Sequence, residues 1–152
     1  MTISPALPPA LAEIVTDFQE LEERDRLTLL LEFSRSLPAL PERLGNHPEL
    51  LEQVVECQSP LFLTVESEKT DDGEVIRLFF KAPPEAPTTR GFASILFEGL
   101  DGLTAEQILA VPDDMPEQLG LTRAISPLRM RGMSAILGRV KRKVANGARP
   151  AA

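Results

Sequence analysis

Two strand-like segments, set between helix-like ones, constrain the fold of this chain most. In residues 61–66 a large apolar residue occupies every second position, and residues 75–80 form a second run rich in β-branched and aromatic side chains. Asp71, Asp72 and Gly73 lie between the two runs and are residue types that favour turns. The pattern predicts an antiparallel β-hairpin with a multi-residue loop.

Helical periodicity precedes the hairpin. Apolar residues recur at three- and four-residue spacing from Pro9 to Leu21, and again from about Arg24 until Pro38 interrupts the pattern. We expect these two helices to pack on each other as a helical hairpin. Asn46 then has the residue type of a helix cap and predicts a short helical turn that begins there.

Helical patterns also follow the hairpin. Residues 92–100 place apolar side chains on one helical face, and a capping-box pattern that starts at Thr104 predicts a short helix. Ser126 followed by Pro127 indicates the start of a last helix, which residues 146–147 end. The order of helices, hairpin and helices predicts an α+β fold, in which a small antiparallel β-sheet packs against helices.

The size of the chain suits a single domain. It has 152 residues, of which 43% are hydrophobic, and this is enough apolar material for one core. We assign residues 9–147 to that domain, residues 1–8 to a loose N-terminal arm and residues 148–152 to a loose C-terminal tail. The longest apolar runs are far too short to span a bilayer, so we expect no membrane association and a cytoplasmic location.

The charge of the chain is unevenly distributed. The formal net charge is −7, yet no acidic residue follows Glu117 and eight Lys and Arg residues do. This pattern predicts a basic last helix on an acidic body, with the cations near the helix C-terminus and on its solvated face. The chain has no Trp or Tyr for base stacking and its acidic part repels phosphate, so we expect no nucleic-acid partner.

Cys57 is the only cysteine and lies between a helix-like segment and the first predicted strand. One thiol excludes an internal disulfide and is too few for a cysteine-ligated zinc or iron–sulfur site. A reactive nucleophile and a passive apolar residue remain as alternatives. A loop position allows access to the thiol, although the sequence does not fix how deeply Cys57 is buried at rest. The adjacent carboxylate of Glu56 raises the pKa of the thiol and so opposes its activation.

A thiol hydrolase would need a histidine base beside the cysteine. His47 is the only histidine and lies ten positions upstream, directly before Pro48. A lone, exposed histidine is more often incidental than catalytic, so we expect the substitution His47→Ala to have no effect. The shortage of ligands also indicates that the chain holds no metal.

Three motifs occur in order along the chain. Residues 57–59 read C-Q-S and are followed by an apolar pair at 61–62. Residues 23–38 run from E-R through a leucine-rich helix to L-P, and residues 119–132 contain L-G-L and then I-S-P-L-R-M-R-G. Together they resemble the C-Q-S-x-V-W, E-R … L-P and L-G-L … L-S-P-S-R-x-x-G motifs of the SufE family. The resemblance covers roughly residues 10–145.

The chain departs from the family pattern at three places. Glu56 stands where the family usually has Gly before its cysteine, and Leu61-Phe62 stands where it usually has Val-Trp. Residues 84–91 read P-E-A-P-T-T-R-G in place of S-D-A-x-x-x-K-G, which keeps the acid, the alanine, the cation and the glycine.

The resemblance implies a SufE/IscU-like fold and a sulfur carrier. In that family the cysteine takes persulfide sulfur from a pyridoxal-phosphate-dependent, SufS-like cysteine desulfurase, stimulates that enzyme, and delivers the sulfur to a SufBCD-like iron–sulfur scaffold. Such thiol exchange needs no cofactor on the carrier. The resemblance implies that Cys57 reacts, that Gln58 and Ser59 support its loop, and that Arg129, Glu85 and Arg90 contact the loop or the partner. Monomer and homodimer both remain open.

Two other functions compete with this one. A non-catalytic adaptor or regulatory partner of a desulfurase or scaffold would dock through the basic helix, and its activity would survive Cys57→Ala. An assembly scaffold would hold the cluster itself, but a cluster needs about four ligands and the chain has one cysteine and one histidine.

Overall fold

The computed structural model describes residues 7–57 and 59–150 and has helices packed against a small sheet. The helices of this part of the chain are α1 (Pro9–Glu20), α2 (Glu23–Phe33), α3 (Glu42–Gly45), α4 (Pro87–Leu100), α5 (Ala105–Leu109), α6 (Met115–Gln118) and α7 (Pro127–Ala145), with a 3-10 turn at Pro48–Leu50. The strands are β1 (Glu52–Gln53), β2 (Phe62–Thr70), β3 (Gly73–Lys81) and β4 (Arg149–Pro150). The predicted α+β class is confirmed. No described helix combines the length and apolar character that a bilayer crossing requires.

The predicted hairpin is formed by β2 and β3. Leu63 pairs with Phe80 and Val65 pairs with Leu78, and this register puts their side chains on one buried face. The last pair joins the ends of the two strands, so a loop of only two residues, Asp71 and Asp72, connects them.

Two short strands extend the sheet on β2. β1 pairs with the start of β2 in antiparallel orientation, and β4 pairs with Glu66 and Ser67 in parallel orientation. The loose tail predicted for residues 148–152 therefore includes a paired segment at 149–150. Backbone pairing with a strand needs no side-chain pattern, so the sequence carries no signal for it. Most of the predicted arm (residues 1–8) lies outside the described residues, and the domain division stays a prediction.

Helix α4 lies at the centre of the core. Its side chains Phe92, Ile95 and Leu96 have no exposed surface, and α1, α2, α7 and β3 all pack on it. The expected helical hairpin of α1 with α2 forms only in part, because both helices pack mainly on α4. Their direct contact includes the stacked rings of Phe18 and Phe33, whose centroids are 6.0 Å apart.

The other face of β2 buries a charge. The carboxylate of Glu66 is 4% exposed and accepts two hydrogen bonds of 2.7 Å from the guanidinium of Arg43 in α3. That guanidinium also lies over the ring of Phe79, 5.4 Å from its centroid. Both faces of β2 are therefore covered in the middle of the strand, which explains why burial there does not alternate.

The helix ends agree in part with the sequence. Thr104 and Gln107 form the predicted capping box, and the Ser126 hydroxyl accepts a hydrogen bond of 3.2 Å from the third amide of α7. Asn46 was expected to open a short helical turn, and a 3-10 turn does form at Pro48–Leu50, but His47 is its cap residue. Asn46 instead follows the last residue of α3, and its amide donates to the carbonyl of Glu42. Asparagine suits both ends of a helix, so its residue type alone did not distinguish them.

Candidate functional site

Cys57 lies in a closed loop between β1 and β2, which we call the cysteine loop (residues 54–61). The Val54 amide donates to the Leu61 carbonyl at 2.8 Å and so joins the two ends of the loop. The Cys57 amide donates to the Val54 carbonyl at 3.1 Å. Val54 and Leu61 are fully buried, so the loop is fixed at its base. Gln58, predicted to support the loop, lies outside the described residues.

The thiol is covered by α7. The sequence left the burial of Cys57 at rest open, and in the structure the residue is only 9% exposed and belongs to the hydrophobic core. Its Sγ lies 3.7 Å from the Gly132 carbonyl, to which the thiol can donate a weak hydrogen bond. A Cβ on Gly132 would sit 3.4 Å from Sγ, so glycine at this position lets the thiol pack directly on the helix backbone.

A cavity of about 100 Å³ lies beside the thiol. The cysteine loop, the start of α4 and the first two turns of α7 line it; among the lining residues are Cys57, Ser59, Glu85, Thr88, Arg129 and Gly132. Three predicted site residues, Ser59, Glu85 and Arg129, are thus brought together with Cys57. The Arg129 guanidinium also donates to the Thr88 hydroxyl at 3.3 Å, which ties α7 to α4 at the edge of the cavity.

Arg90 is not part of this cluster. Its guanidinium donates to the backbone carbonyls of Ser34 at 2.7 Å, Ala82 at 2.6 Å and Leu37 at 3.5 Å. These bonds hold the end of α2 and the end of β3 on α4. The observed geometry therefore gives Arg90 a structural role rather than a contact with the cysteine loop.

The structure offers no catalytic histidine beside the thiol. The His47 ring contacts the Glu49 carboxylate at 2.9 Å, both side chains are largely exposed, and His47 does not line the cavity beside Cys57. Within the described part of the chain, no three His, Cys, Asp or Glu side chains are grouped so that they could hold a metal ion. The site thus consists of a thiol, its cavity and the surrounding charges.

Burial and charge keep the thiol protonated. The pKa of Cys57 is raised to about 11, chiefly by burial and to a smaller extent by the neighbouring Glu56 carboxylate, while Arg139 acts in the opposite direction. The effect of Glu56 agrees with the sequence analysis. The larger effect of burial was missed, because it depends on α7, which lies far away along the chain.

Arg139 contacts the cysteine loop through Glu56, and the sequence analysis did not single it out. Its guanidinium donates to the Glu56 carboxylate at 2.6 Å and to the Glu52 carboxylate of β1. Lys143 also pairs with Glu52, at 3.2 Å. These bonds lower the pKa of both Glu52 and Glu56 below the usual carboxyl range. The only sequence signal for this ion pair was Glu56 itself, an acidic residue beside the cysteine in a chain whose last helix is basic.

Comparisons with known proteins support the resemblance to the SufE family. The sequence matches the SufE family, described as an Fe-S metabolism associated domain, over residues 12–144. An uncharacterised SufE-like protein of Mycobacterium tuberculosis is 56% identical over 144 residues, which cover 95% of this chain and 97% of that protein. An uncharacterised SufE-like protein of Synechocystis sp. is 29% identical over 138 residues, which cover 90% of this chain and 81% of that protein.

A solved structure has the same fold. The solution structure of a hypothetical protein from Thermus thermophilus superposes with a TM-score of 0.77 and is 35% identical in sequence. The superposition covers 93% of this chain and 97% of the other.

Proposed function

The chain belongs to the SufE family, and from that premise we propose that it accepts persulfide sulfur on Cys57 from a cysteine desulfurase and delivers it for iron–sulfur cluster assembly. The observation that carries the proposal is the position of the chain's single thiol, which packs on Gly132 beside a cavity of about 100 Å³. A carrier needs one sulfur that is protected at rest and can be uncovered by a partner.

The chemistry requires only a thiolate on this chain. The Cys57 thiolate attacks the outer sulfur of the desulfurase persulfide and forms a new S–S bond. The bond between the two sulfur atoms of the donor breaks, and its electron pair leaves with the inner sulfur as the desulfurase thiolate. One sulfur atom moves and no external oxidant is consumed, so Cys57 becomes the persulfide.

The environment of the thiol supports a guarded resting state. With a pKa of about 11, Cys57 has very little thiolate at neutral pH. If the loop were released and the thiol returned to its ordinary pKa of 9.0, its thiolate fraction at pH 7.5 would rise about 100-fold. Docking of a partner would thus supply both access and ionisation. Until then, the buried thiol is protected from oxidation to the sulfenic and sulfinic acids.

The cavity residues have supporting roles in this proposal. Ser59 and Glu85 lie where an incoming persulfide would pass, and Arg129 fixes the wall of the cavity through Thr88. The pyridoxal phosphate belongs to the SufS-like donor, and the receiving scaffold is SufBCD-like. Gln58 as a support of the loop, and a cytoplasmic location, stay predictions.

Intact mass spectrometry tests the proposal. We would incubate the purified chain with a cysteine desulfurase, pyridoxal phosphate and cysteine, without reductant. We expect the wild-type chain to gain one or more sulfur atoms and Cys57→Ser to gain none. Sulfur on Cys57→Ser, or none on the wild type with several active desulfurases, would reject the proposal. A further variant, Cys57→Ala, tests the adaptor alternative, which requires this variant to stimulate the desulfurase as fully as the wild type does.

A further inference from the structure

The cysteine loop is attached to α7 at two neighbouring points. Gly132 and Arg139 are seven residues apart, about two helical turns, so they lie on the same side of α7. The Cys57 thiol contacts the Gly132 carbonyl at 3.7 Å, and the carboxylate of the preceding residue, Glu56, accepts from Arg139 at 2.6 Å.

The two attachments differ in strength. A thiol is a weak donor, and 3.7 Å is a long contact, so the Gly132 contact holds the loop only weakly. The hydrogen bond between Arg139 and Glu56 joins two opposite charges and is therefore the stronger one. The Glu56 side chain is 45% exposed, however, so water or another anion can replace it.

The cation of this pair is fixed independently of the loop. The Arg139 side chain is only 15% exposed and also binds Glu52 of β1. Lys143, one turn further along α7, binds the same Glu52 carboxylate. Arg139 would therefore stay in place after Glu56 leaves, which makes Glu56 the detachable half of the pair.

We propose that Arg139 is a positioning residue that holds the cysteine loop closed through Glu56, and that release of this loop-anchoring ion pair uncovers Cys57. The inference deepens the proposed function, on which its biological meaning rests, because the same thiol is the sulfur acceptor there. The position before the cysteine, where the family pattern usually has Gly, thus gains a role in controlling access to the thiol.

A purely electrostatic role of Arg139 predicts the opposite result. The charged groups that face the thiol are Glu56 on its own loop, Arg139 on α7, and Glu85 and Arg129 at the cavity. Loss of the Arg139 cation would by itself raise the pKa of the thiol and slow its alkylation. Loss of the loop anchor would uncover the thiol and speed its alkylation. The sign of the change therefore separates the two roles.

The experiment measures the rate at which iodoacetamide alkylates Cys57 in the full chain, at pH 8 and low ionic strength, by intact mass. We expect Arg139→Gln to react roughly twofold faster than the wild type, the change expected for loss of an exposed ion pair, and Glu56→Gln to react faster still, because loss of its carboxylate also lowers the pKa of the thiol. Arg139→Lys keeps the positive charge but lacks the planar guanidinium, so its alkylation rate should lie between the rates of these two variants and that of the wild type. Lys141→Gln is the matched control, because Lys141 pairs with Asp113 and Val111, away from the loop, and its rate should not change.

The dependence of the alkylation rate on salt and pH also distinguishes the ion pair from a merely structural role of Arg139 and Glu56. Added salt should speed alkylation of the wild type and have little effect on Glu56→Gln, which has no ion pair to screen. In a pH profile, the loop anchor predicts a higher rate per thiolate in Glu56→Gln, whereas electrostatics alone predicts only a lower midpoint. This profile also decides the question if Arg139→Gln fails to fold in a thermal melt.

Slower or unchanged alkylation of a folded Arg139→Gln would overturn the inference, as would an unchanged rate per thiolate in Glu56→Gln. No desulfurase takes part in these measurements, so their outcome is independent of whether Cys57 accepts sulfur. If the variants were alkylated fast but the wild type accepted no sulfur, the role of the loop-anchoring ion pair would be supported and only the proposed carrier function would be rejected.

Discussion

Two arginines hold two regions of this molecule in different ways. Arg90 donates to three backbone carbonyls and so joins the ends of α2 and β3 to α4. Arg139 donates to two carboxylates, one on β1 and one on the cysteine loop. Both guanidiniums have several partners, yet only the partners of Arg139 are side chains that can turn away without moving the backbone.

The difference separates a permanent join from a detachable one. Backbone carbonyls at the end of a helix or strand stay where the fold puts them, so the bonds of Arg90 persist as long as the domain is folded. The half-exposed Glu56 side chain can exchange Arg139 for water at little cost. The first arrangement suits a structural corner, and the second suits a loop that must open.

Loss of Arg90 should have the largest effect on stability. Arg90→Ala removes the charged donor from three carbonyls, and we expect it to lower the free energy of unfolding by about 3 kcal/mol. Urea unfolding measures this change. Cys57 in the folded variant should be alkylated at the wild-type rate. A stable Arg90→Ala with a fast-reacting thiol would show that Arg90 belongs to the site after all.

Two glycines, one in each region, differ in how tightly their surroundings are packed. A Cβ on Gly91 would lie 2.4 Å from the Leu30 carbonyl oxygen, so Gly91→Ala must force α2 away from α4 and should cost about 2 kcal/mol. A Cβ on Gly132 would lie 3.4 Å from Sγ of Cys57, an ordinary contact. Gly132→Ala should therefore change stability by less than about 1 kcal/mol, helped by the better helix propensity of alanine.

The reactivity of the thiol should agree with this difference. In Gly132→Ala the added methyl group meets Sγ at an ordinary contact distance, so we expect Cys57 to be alkylated at close to the wild-type rate. Gly91→Ala should also leave the alkylation rate unchanged at temperatures where it is folded. Much faster alkylation of a stable Gly132→Ala would show that the methyl group displaces the cysteine loop.

The smallest expected effect is the pH dependence of the loop-anchoring ion pair. Hydrogen bonding to Arg139 lowers the pKa of Glu56 in the folded state, so the pair stabilises the fold above the unfolded carboxyl pKa. That contribution is lost as the pH falls through the lower, folded pKa. At pH 7 we expect the free energy of unfolding of the wild type to exceed that of Glu56→Gln by about 0.5 kcal/mol.

Urea unfolding of both chains over a descending pH series measures this difference. The gap should close once Glu56 is protonated in both states. A difference in free energy of unfolding that grows towards acid pH would contradict its assignment to the ion pair of Glu56 with Arg139.

Much of the fold could be predicted because its signals are local. The hairpin of β2 and β3, the capping box at Thr104 and the Ser126 cap each depend on signals within a few residues, and each is present in the structure. Asn46 shows the limit of such signals, since a residue type that suits both ends of a helix does not say which end it occupies. The partial hairpin of α1 and α2 was decided by α4, more than fifty residues downstream of α2.

The site was less predictable because its physics is long-range. Cys57, Ser59, Glu85 and Arg129 could be named from motifs, but the burial of the thiol depends on Gly132, 75 positions away. The pairing of Glu56 with Arg139 spans 83 positions. Motif position also suggested that Arg90 contacts the loop or the partner. Its three carbonyl bonds, from segments that only the folded chain brings together, exclude the loop contact, while a contact with a partner stays a prediction.

The most direct test of the central claim is a single-turnover transfer. A desulfurase would first be loaded with persulfide, freed of cysteine, and then mixed with this chain in equal amount. The account predicts that the sulfur lost by the donor appears on the peptide that contains Cys57, and that the Cys57→Ser chain leaves the donor loaded. A donor that keeps its sulfur in the presence of the wild-type chain, or loses it equally to Cys57→Ser, would contradict the account.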